Sequence, residues 1–331
     1  MASKQQTRIL FIVPDRNDPT AYYRASGIAH DLMNQTGFTI DVIQWNQVEI
    51  TWQIISMYDV IMLQRPFTDV ASNLILYAKD MNKPVWVDYD DNLFVLNPEN
   101  KAHQVYSNPA VQEAVKNCLK NADIVTVPVE YLRQSYQMYN KNIHVIPNAF
   151  NDDIFRKREL PKRKKRVLWR GPDAHIYDLM TYGKEINRAT KDFPDYQFLF
   201  MGYYPWFLAD TENKGFIPGL DIIMYFKKIF ELAPEVFHVP LHDNTFNRCR
   251  SNIGFIEGSW SGAACVVPGW WNVPGALSYN NPAEYYDAMR SLLSGEVNAE
   301  EMNKTAWEYI TEYLMLSRVN IERAELLKNL L

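Results

Sequence analysis

Cysteine is scarce in this sequence, which has only Cys118, Cys249 and Cys265 among its 331 residues. The three are widely spaced and form neither a CxxC pair nor a cluster with histidine, which disfavours a disulfide framework and a zinc site. Unpaired thiols of this kind fit a reducing compartment. We therefore expect a cytoplasmic protein.

Long apolar runs are also missing, since the sequence contains no stretch of about 18 apolar residues. The early run ILFIV at residues 9–13 is too short to span a bilayer, so we expect no integral membrane association. The formal net charge is only −5. The bulk charge therefore attracts neither nucleic acid nor anionic lipid, and such a partner would need a local basic patch.

The length of the chain is too great for one typical domain and suits two, each large enough to bury its own core. Hydrophobic residues make up 47% of the sequence and charged residues 22%, which is typical of a globular protein. Aromatic residues reach 14% and supply many large side chains for cores and pockets.

Residues 1–150 alternate short apolar runs with amphipathic segments, which is typical of strand and helix units that build a parallel sheet. We predict a first Rossmann-like domain here. The predicted strands are Arg8–Pro14, Thr39–Gln44, Asp59–Gln64, Pro84–Asp88, Asp123–Val127 and His144–Pro147. The predicted helices lie near Tyr22–Gln35, Val70–Lys79, Asn108–Asn121 and Val129–Tyr139.

Residues 151–166 break this rhythm and contain the segment Arg156–Arg166, with eight basic residues and one acidic residue. We interpret residues 151–166 as a basic linker, and a solvated hinge is the interpretation we prefer. The other interpretation is a surface that grips the phosphates of DNA, with binding that weakens steeply as salt rises.

A second series of strands and helices occupies residues 167–300, and residues 301–331 have a helical pattern that we expect to pack back on the first domain. The predicted strands are Arg166–Arg170, Tyr196–Met201, Val236–Pro240 and Ala263–Pro268, with helices near His175–Ala189, Ile222–Leu232, Ser251–Trp260 and Pro282–Leu293. The predicted class is α/β, with two tandem Rossmann-like doubly wound domains. We expect a ligand in the interdomain cleft, at the carboxyl ends of the strands.

The first strand of the second domain ends in a turn suited to a diphosphate. Gly171 permits close approach of a ligand, Arg170 offers a planar fork for phosphate, and a helix begins nearby with His175 in its first turn. The alternative is an ordinary junction between strand and helix, capped by Asp173.

Two further turns of this domain supply candidate donor-binding residues. Gly202 closes a strand, and Tyr203 beside it could lie over a base or sugar ring; a turn with core tyrosines is the simpler interpretation. Glu257 lies in an apolar helix, where a carboxylate is costly unless it accepts hydrogen bonds, for example from ribose hydroxyls. Arg250 and Ser251 precede that helix, where a cation and a helix N-terminus would suit a phosphate. The alternative is a solvated glutamate that pairs with the arginine.

The first domain places Asp88, Asp90 and Asp91 directly after a buried strand. These carboxylates could bind a divalent metal, act as a general base or anchor for an acceptor hydroxyl, or cap a helix. We prefer the catalytic or acceptor-side use and assign no metal, because fixed cations in the other domain would neutralise a phosphate.

Three more polar residues follow strands of the first domain. Tyr23 and Arg24 come after the first strand and Arg65 after the third. We expect all three at the rim of the cleft, on the acceptor side.

Four motifs, taken together and in order, resemble the GT-B glycosyltransferases, particularly the family-4-like group. They are Ala122–Pro128, the junction His144–Phe155, the turn Trp169–His175, and Glu257 with Gly262 and Pro268. The resemblance implies an enzyme that uses a UDP- or GDP-sugar as cosubstrate, with no permanently bound cofactor. It also implies that Arg170 and Arg250 neutralise the leaving diphosphate and that Glu257 holds the donor ribose. One departure is Cys249, which stands where the family's paired glutamate would be.

The expected function is therefore transfer of a hexose or pentose from a nucleotide-diphosphate sugar to an acceptor hydroxyl, without a metal. Retention of configuration follows the resemblance, whereas an aspartate acting as general base would imply inversion. The acceptor could be a glycan, a small molecule or a hydroxymethylated base in DNA. A nucleotide-sugar-binding protein without catalytic activity is the alternative outside enzymes.

Overall fold

The computed structural model describes residues 6–45, 50–155 and 159–331, and contains two parallel six-stranded sheets. The first sheet has the order β2-β1-β3-β4-β5-β6. Its strands are β1 (Arg8–Val13), β2 (Thr39–Gln44), β3 (Val60–Gln64), β4 (Val85–Asp88), β5 (Ile124–Val127) and β6 (Ile143–Val145). Its helices are α1 (Pro19–Ala21), α2 (Gly27–Thr36), α3 (Trp52–Ser56), α4 (Asp69–Asp80), α5 (His103–Tyr106), α6 (Pro109–Asn121) and α7 (Glu130–Tyr136).

The second sheet has the order β12-β11-β10-β7-β8-β9. Its strands are β7 (Lys164–Arg170), β8 (Gln197–Met201), β9 (Lys214–Ile217), β10 (Pro234–His238), β11 (Ala264–Pro268) and β12 (Ala276–Tyr279). Its helices are α8 (Ile176–Thr181), α9 (Gly183–Asp192), α10 (Ile222–Leu232), α11 (Thr245–Arg248), α12 (Ile253–Trp260) and α13 (Pro282–Leu293), and the chain ends in α14 (Ala299–Tyr313) and α15 (Leu316–Leu330). The predicted α/β class with two doubly wound domains is confirmed.

The strands of both sheets are apolar on consecutive positions because helices cover both faces. All five residues of β3 and all five of β11 are buried. Two separate hydrophobic clusters lie on the two faces of the first sheet. This burial fixes the strands, so that their carboxyl ends form rigid supports for the polar residues that follow them.

The C-terminal segment crosses from the second domain to the first, as predicted. Asn303 on α14 donates to the carbonyl oxygens of Ser259 and Ala263 in the second domain, at 2.7 and 2.9 Å. After a break, Asn320 on α15 donates to the carbonyl of Ile28 in α2 at 3.1 Å. One broken helix therefore contacts both domains.

Some element boundaries differ from the sequence predictions. The helix predicted over Tyr22–Gln35 is divided into a π-helical turn at Tyr22–Ser26 and α2, and the short helix α1 precedes it. The helix predicted over His175–Ala189 is divided into a 3₁₀ turn at Asp173–His175, α8 and α9. The strands β9 and β12 and the short helices α3 and α5 were not predicted, because they are too short to show a periodic pattern.

The predicted linker divides between the described and undescribed parts of the chain. Arg156, Lys157 and Arg158 lie outside the described residues, whereas β7 already begins at Lys164. The proposed domain limits at residues 150, 166 and 300 stay predictions. None of the helices in residues 6–45, 50–155 and 159–331 has both the length and the hydrophobicity that a membrane span requires.

Candidate functional site

A cavity of about 690 Å³ lies between the two domains, at the carboxyl ends of both sheets. It is lined by polar residues that follow strands, where parallel folds concentrate binding groups. Ten of the residues predicted from sequence line it: Tyr23, Asp90, Asp91, Arg170, Gly171, His175, Gly202, Arg250, Ser251 and Glu257. The structure thus brings the predicted donor-side and acceptor-side residues to one cavity.

Four predicted site residues do not line this cavity. Tyr203 is half-buried and packs against the core of the second domain. Arg65 pairs with Asp90, behind the cavity wall. Arg24 and Asp88 are fully buried, and the Arg24 guanidinium contacts the carboxylate with Nη2 at 2.6 Å. The prediction that Arg24 lies at the rim is therefore wrong, and burial removes Asp88 from direct contact with a substrate.

Glu257 on α12 is the most extensively bonded carboxylate of the cavity. Its Oε2 accepts hydrogen bonds from Nε of Arg170 and the hydroxyl of Tyr225, each at 2.7 Å. The Nη2 of Arg170 lies 2.6 Å from the same oxygen. Its Oε1 accepts a hydrogen bond from the hydroxyl of Tyr23 in the other domain, at 2.7 Å. Since a carboxylate oxygen offers about two acceptor positions, these contacts use one of the two positions of Oε1.

The contacts with Glu257 change the pKa values of its neighbours. Burial raises the pKa of Tyr23 and of Tyr225, and the negative charge of Glu257 raises both further. Although desolvation acts against its charge, Arg170 beside Glu257 has a raised pKa. Arg170 is therefore a permanent cation that is anchored by Nε and Nη2 and directs Nη1 away from Glu257.

The acidic loop after β4 holds two carboxylates with different properties. Arg65 donates from Nε to Asp90 at 2.8 Å. Burial alone would raise the pKa of Asp90, but the charge of Arg65 outweighs it and the pKa is lowered. Burial, followed by repulsion from Asp90, raises the pKa of Asp91. Asp91 lies 3.7 Å from Arg250 and is the carboxylate of this loop best suited to exchange a proton.

The histidine of the first donor-side turn is held in one tautomer by its neighbours. His175 places Nδ1 2.9 Å from Oδ2 of Asp178, while Nη1 of Arg250 lies 2.9 Å from its Nε2. Burial and the nearby charge of Arg250 lower the pKa of His175 to about 4. The neutral ring therefore donates from Nδ1 to Asp178, and Nη1 of Arg250 lies beside both ring nitrogens, at 3.2 Å from Nδ1 and 2.9 Å from Nε2.

In the described part of the chain, no group of three or more His, Cys, Asp or Glu side chains is arranged to hold a metal ion. Asp90 and Asp91 face arginines instead, at 2.5 Å from Arg65 and 3.7 Å from Arg250. Cations already occupy the space beside both carboxylates.

Sequence reasoning missed several residues of the cavity wall. The segment after β1 contributes Asp15, Asn17, Asp18 and, in α1, Thr20, which the position after a strand could have indicated. Tyr225 lies in the amphipathic helix α10, where its spacing looks like that of any core residue. Asn148 lies in the junction motif and reaches the cavity only through the relative placement of the domains.

Solved structures with the same two-domain arrangement match nearly the whole chain. Anabaena HepE, in complex with UDP and glucose, matches with a TM-score of 0.65 and 11% identity, over 98% of this chain and 100% of that one. This chain has the GT-B fold. Another GT-B match is the α,α-trehalose 6-phosphate synthase of Burkholderia multivorans, with a TM-score of 0.59 and 12% identity over 98% and 97% of the chains.

A third structural match is S. aureus MnaA in complex with UDP, with a TM-score of 0.55 and 10% identity over 98% of both chains. No family model matches this chain, and no curated protein matches it significantly. At identities of 10 to 12%, these likenesses establish the GT-B fold and leave the reaction to be inferred from the site.

Proposed function

We propose that the protein transfers a sugar from a nucleotide-diphosphate donor to an acceptor hydroxyl in the interdomain cavity. The observation that carries this proposal is the convergence of Arg170, Arg250 and Glu257 on one wall of the cavity. Two fixed cations suit a diphosphate leaving group, and a partly occupied carboxylate suits a ribose hydroxyl. The solved complexes of HepE and MnaA, which contain UDP, support a nucleotide ligand for this fold.

The donor would lie against the second domain. Arg170 directs Nη1 away from Glu257, so this nitrogen is the one available to a phosphate oxygen. Arg250 approaches the same region from the loop before α12. The remaining acceptor position of Glu257 Oε1 would take one sugar hydroxyl, so the proposed ribose contact is a single hydrogen bond.

The acceptor would enter along the first domain, with Asp91 as its general base. The raised pKa of Asp91 brings it closer to the pH at which a base must accept a proton. A base opposite the leaving diphosphate activates a hydroxyl that attacks in line, so we expect inversion at the anomeric carbon. If the product instead retains the anomeric configuration of the donor, Asp91 does not act as the general base.

The acceptor chemistry favours hydroxyl groups over phosphates. The wall formed by the first domain includes the carboxylates of Asp15, Asp18, Asp90 and Asp91. A nucleic-acid backbone would be repelled here. The basic residues Lys164 and Lys165 begin β7, whereas Arg170 ends it, so they lie about 20 Å from the cavity. We therefore propose a glycan or a small polyhydroxylated acceptor.

The test is a screen of UDP- and GDP-sugars for hydrolysis and for transfer to a panel of sugar acceptors. We expect turnover with one donor, and a loss of about 100-fold or more in Arg170→Ala because a leaving-group cation is removed. Lys165→Ala is the matched control, since it removes a cation at the opposite end of the same strand. Binding of a nucleotide without turnover would indicate a nucleotide-sugar-binding protein, and duplex DNA bound at low salt would restore the DNA alternative.

A further inference from the structure

Arg24 is a buried cation, and every one of its hydrogen-bond partners is an acceptor. Its Nε lies 3.0 Å from Oδ1 of Asp88, and its Nη1 donates to the carbonyl oxygen of Ile146 at 2.7 Å and to Oδ1 of Asn148 at 3.1 Å. Thr126 donates to the same Asp88 carboxylate. The guanidinium has donors only, so whatever faces it must present an oxygen.

This constraint fixes the orientation of the Asn148 side chain. An amide has one oxygen and one nitrogen end, and Arg24 requires the oxygen end on its own side. The nitrogen end therefore points the other way, where Nδ2 donates to Oγ of Ser251 at 2.7 Å. Asn148 is 2% exposed, so water does not compete for either contact.

The orientation of Asn148 in turn sets the polarity of the Ser251 hydroxyl. Because Oγ accepts a hydrogen bond from Asn148, the hydroxyl hydrogen must point elsewhere. Ser251 lines the cavity directly before the N-terminus of α12, beside Arg250. Its hydrogen is thus left for an acceptor other than Asn148, and the cavity is the open space beside Ser251.

We propose that Arg24 is a positioning residue of the first domain, and that it acts through Asn148 to hold the Ser251 hydroxyl as a donor to an anionic group in the cavity. The chain of contacts runs from Asp88 through Arg24 and Asn148 to Ser251, and crosses from one domain to the other. The anion is the diphosphate of the nucleotide, so this inference rests on the proposed function. It also gives Arg24 and Asp88, which do not line the cavity, a defined effect on it.

The decisive variant is Asn148→Asp, which keeps the shape of the side chain and replaces its donor end by an acceptor. The Ser251 hydroxyl then donates to the new carboxylate and no longer into the cavity. We expect the affinity for UDP or GDP, whichever the wild-type protein binds, to fall at least 30-fold. Uridine or guanosine, which lacks phosphate, should lose less than threefold.

Asn252→Asp is the matched control for the added negative charge, because Asn252 follows Ser251 and has no part in these contacts. Its effect on diphosphate affinity should be at least fivefold smaller than that of Asn148→Asp. Ser251→Ala should weaken diphosphate binding about fivefold to tenfold. Combining Ser251→Ala with Asn148→Ala should weaken it no further than Ser251→Ala alone, since Asn148 acts through the Ser251 hydroxyl.

Isothermal titration with UDP, GDP and their nucleosides measures all of these affinities. Equal losses in Asn148→Asp and Asn252→Asp, or additive losses in the double variant, would overturn the proposal. Failure of the wild-type protein to bind either diphosphate would overturn it as well. Tight, Asn148-dependent binding without any sugar transfer would instead contradict the proposed function and leave this positioning role intact.

Discussion

Tyr23 and Glu257 join the two domains through a hydrogen bond of 2.7 Å between the tyrosine hydroxyl and Oε1. Tyr23 lies in the π-helical turn Tyr22–Ser26, and its ring packs within the core of the second domain. The same oxygen has the acceptor position that we assign to a sugar hydroxyl. The bond therefore connects the placement of the domains with the occupancy of the donor site.

Removing this hydroxyl should have separate effects on stability and on binding. In Tyr23→Phe, we expect the free energy of unfolding to fall by about 1 kcal/mol, the typical contribution of one hydrogen bond. Nucleotide affinity should stay within threefold or rise, because Oε1 of Glu257 gains a second free acceptor position. Urea unfolding and titration with UDP and GDP measure the two quantities.

Tyr58→Phe is the matched control, since its hydroxyl donates to Asp41 at 2.9 Å within the first domain alone. It should lower stability by a similar amount and leave nucleotide affinity unchanged. A large loss of nucleotide affinity in Tyr23→Phe would show that the tyrosine hydroxyl itself contacts the donor.

Asp91→Asn should abolish transfer while preserving donor binding. Removal of a general base typically costs a factor of about 10²–10⁴ in kcat, whereas the donor-side contacts of Arg170 and Glu257 are untouched. Because the pKa of Asp91 is raised, kcat of the wild-type protein should decrease as the pH is lowered. This decrease should begin at a pH above the usual titration range of an aspartate. Steady-state rates between pH 4 and pH 8 would measure this limb.

Asp15→Asn is the control for Asp91→Asn, because it neutralises another carboxylate on the same wall of the cavity. We expect a change in kcat of less than fivefold. If Asp91→Asn keeps more than a third of the wild-type rate, the base must be sought elsewhere in the cleft.

The sequence predicted well those elements whose ends carry strong local signals. The structure places α10 and α13 at the predicted limits, because Asp221 and Asn281 cap them with side-chain hydrogen bonds. The strands β9 and β12 have four residues each and lie at the edges of the second sheet, where no alternation or buried run distinguishes them from loops. In the second sheet, local pattern therefore determined the central strands better than the edge strands.

The candidate site was predicted less completely, because several of its contacts join residues far apart in the chain. Arg24 and Asp88 are 64 positions apart, and each taken alone looks like a polar residue at a strand end. Tyr23 and Glu257 are 234 positions apart. Position after a strand identified candidates for the cavity wall, but it could not show which of them neutralise one another.

The pKa of His175 predicts a loss of stability in acid. Burial and the charge of Arg250 lower this pKa from 6.5 to about 4, so the unfolded chain binds a proton that the folded chain does not bind between these values. Stability from this residue is complete above pH 6.5 and is lost as the pH falls toward 4. We expect a contribution of about 2 kcal/mol to the difference in stability between pH 7 and pH 5.

Urea unfolding of wild type and His175→Gln at both pH values tests this prediction. The variant should be less stable at pH 7, because Asp178 loses a hydrogen-bond partner, but its stability should fall by about 2 kcal/mol less between pH 7 and pH 5. If the two proteins lose the same stability between pH 7 and pH 5, groups other than His175 cause the acid sensitivity.

Gly202 lies in the turn after β8, packs against Gly171 in the turn after β7, and should not tolerate a side chain. It has a φ of +95°, which side chains rarely adopt, and a Cβ there would lie 2.6 Å from the carbonyl oxygen of Gly171. In Gly202→Ala the turn after β8 must move away from the turn after β7, which carries Arg170. We expect a loss of about 1–3 kcal/mol in stability and at least a tenfold loss in nucleotide affinity.

Gly295→Ala separates the effect of backbone strain from the effect of the close contact with Gly171. Gly295 has a φ of +77° in the same domain, but no atom lies within 4 Å of the position that a Cβ would take, so only the backbone strain of about 1 kcal/mol applies. Nucleotide affinity should be unchanged in this control. Equal affinity in Gly202→Ala and Gly295→Ala would mean that the contact between Gly202 and Gly171 does not shape the donor site, and that the diphosphate lies nearer to α12.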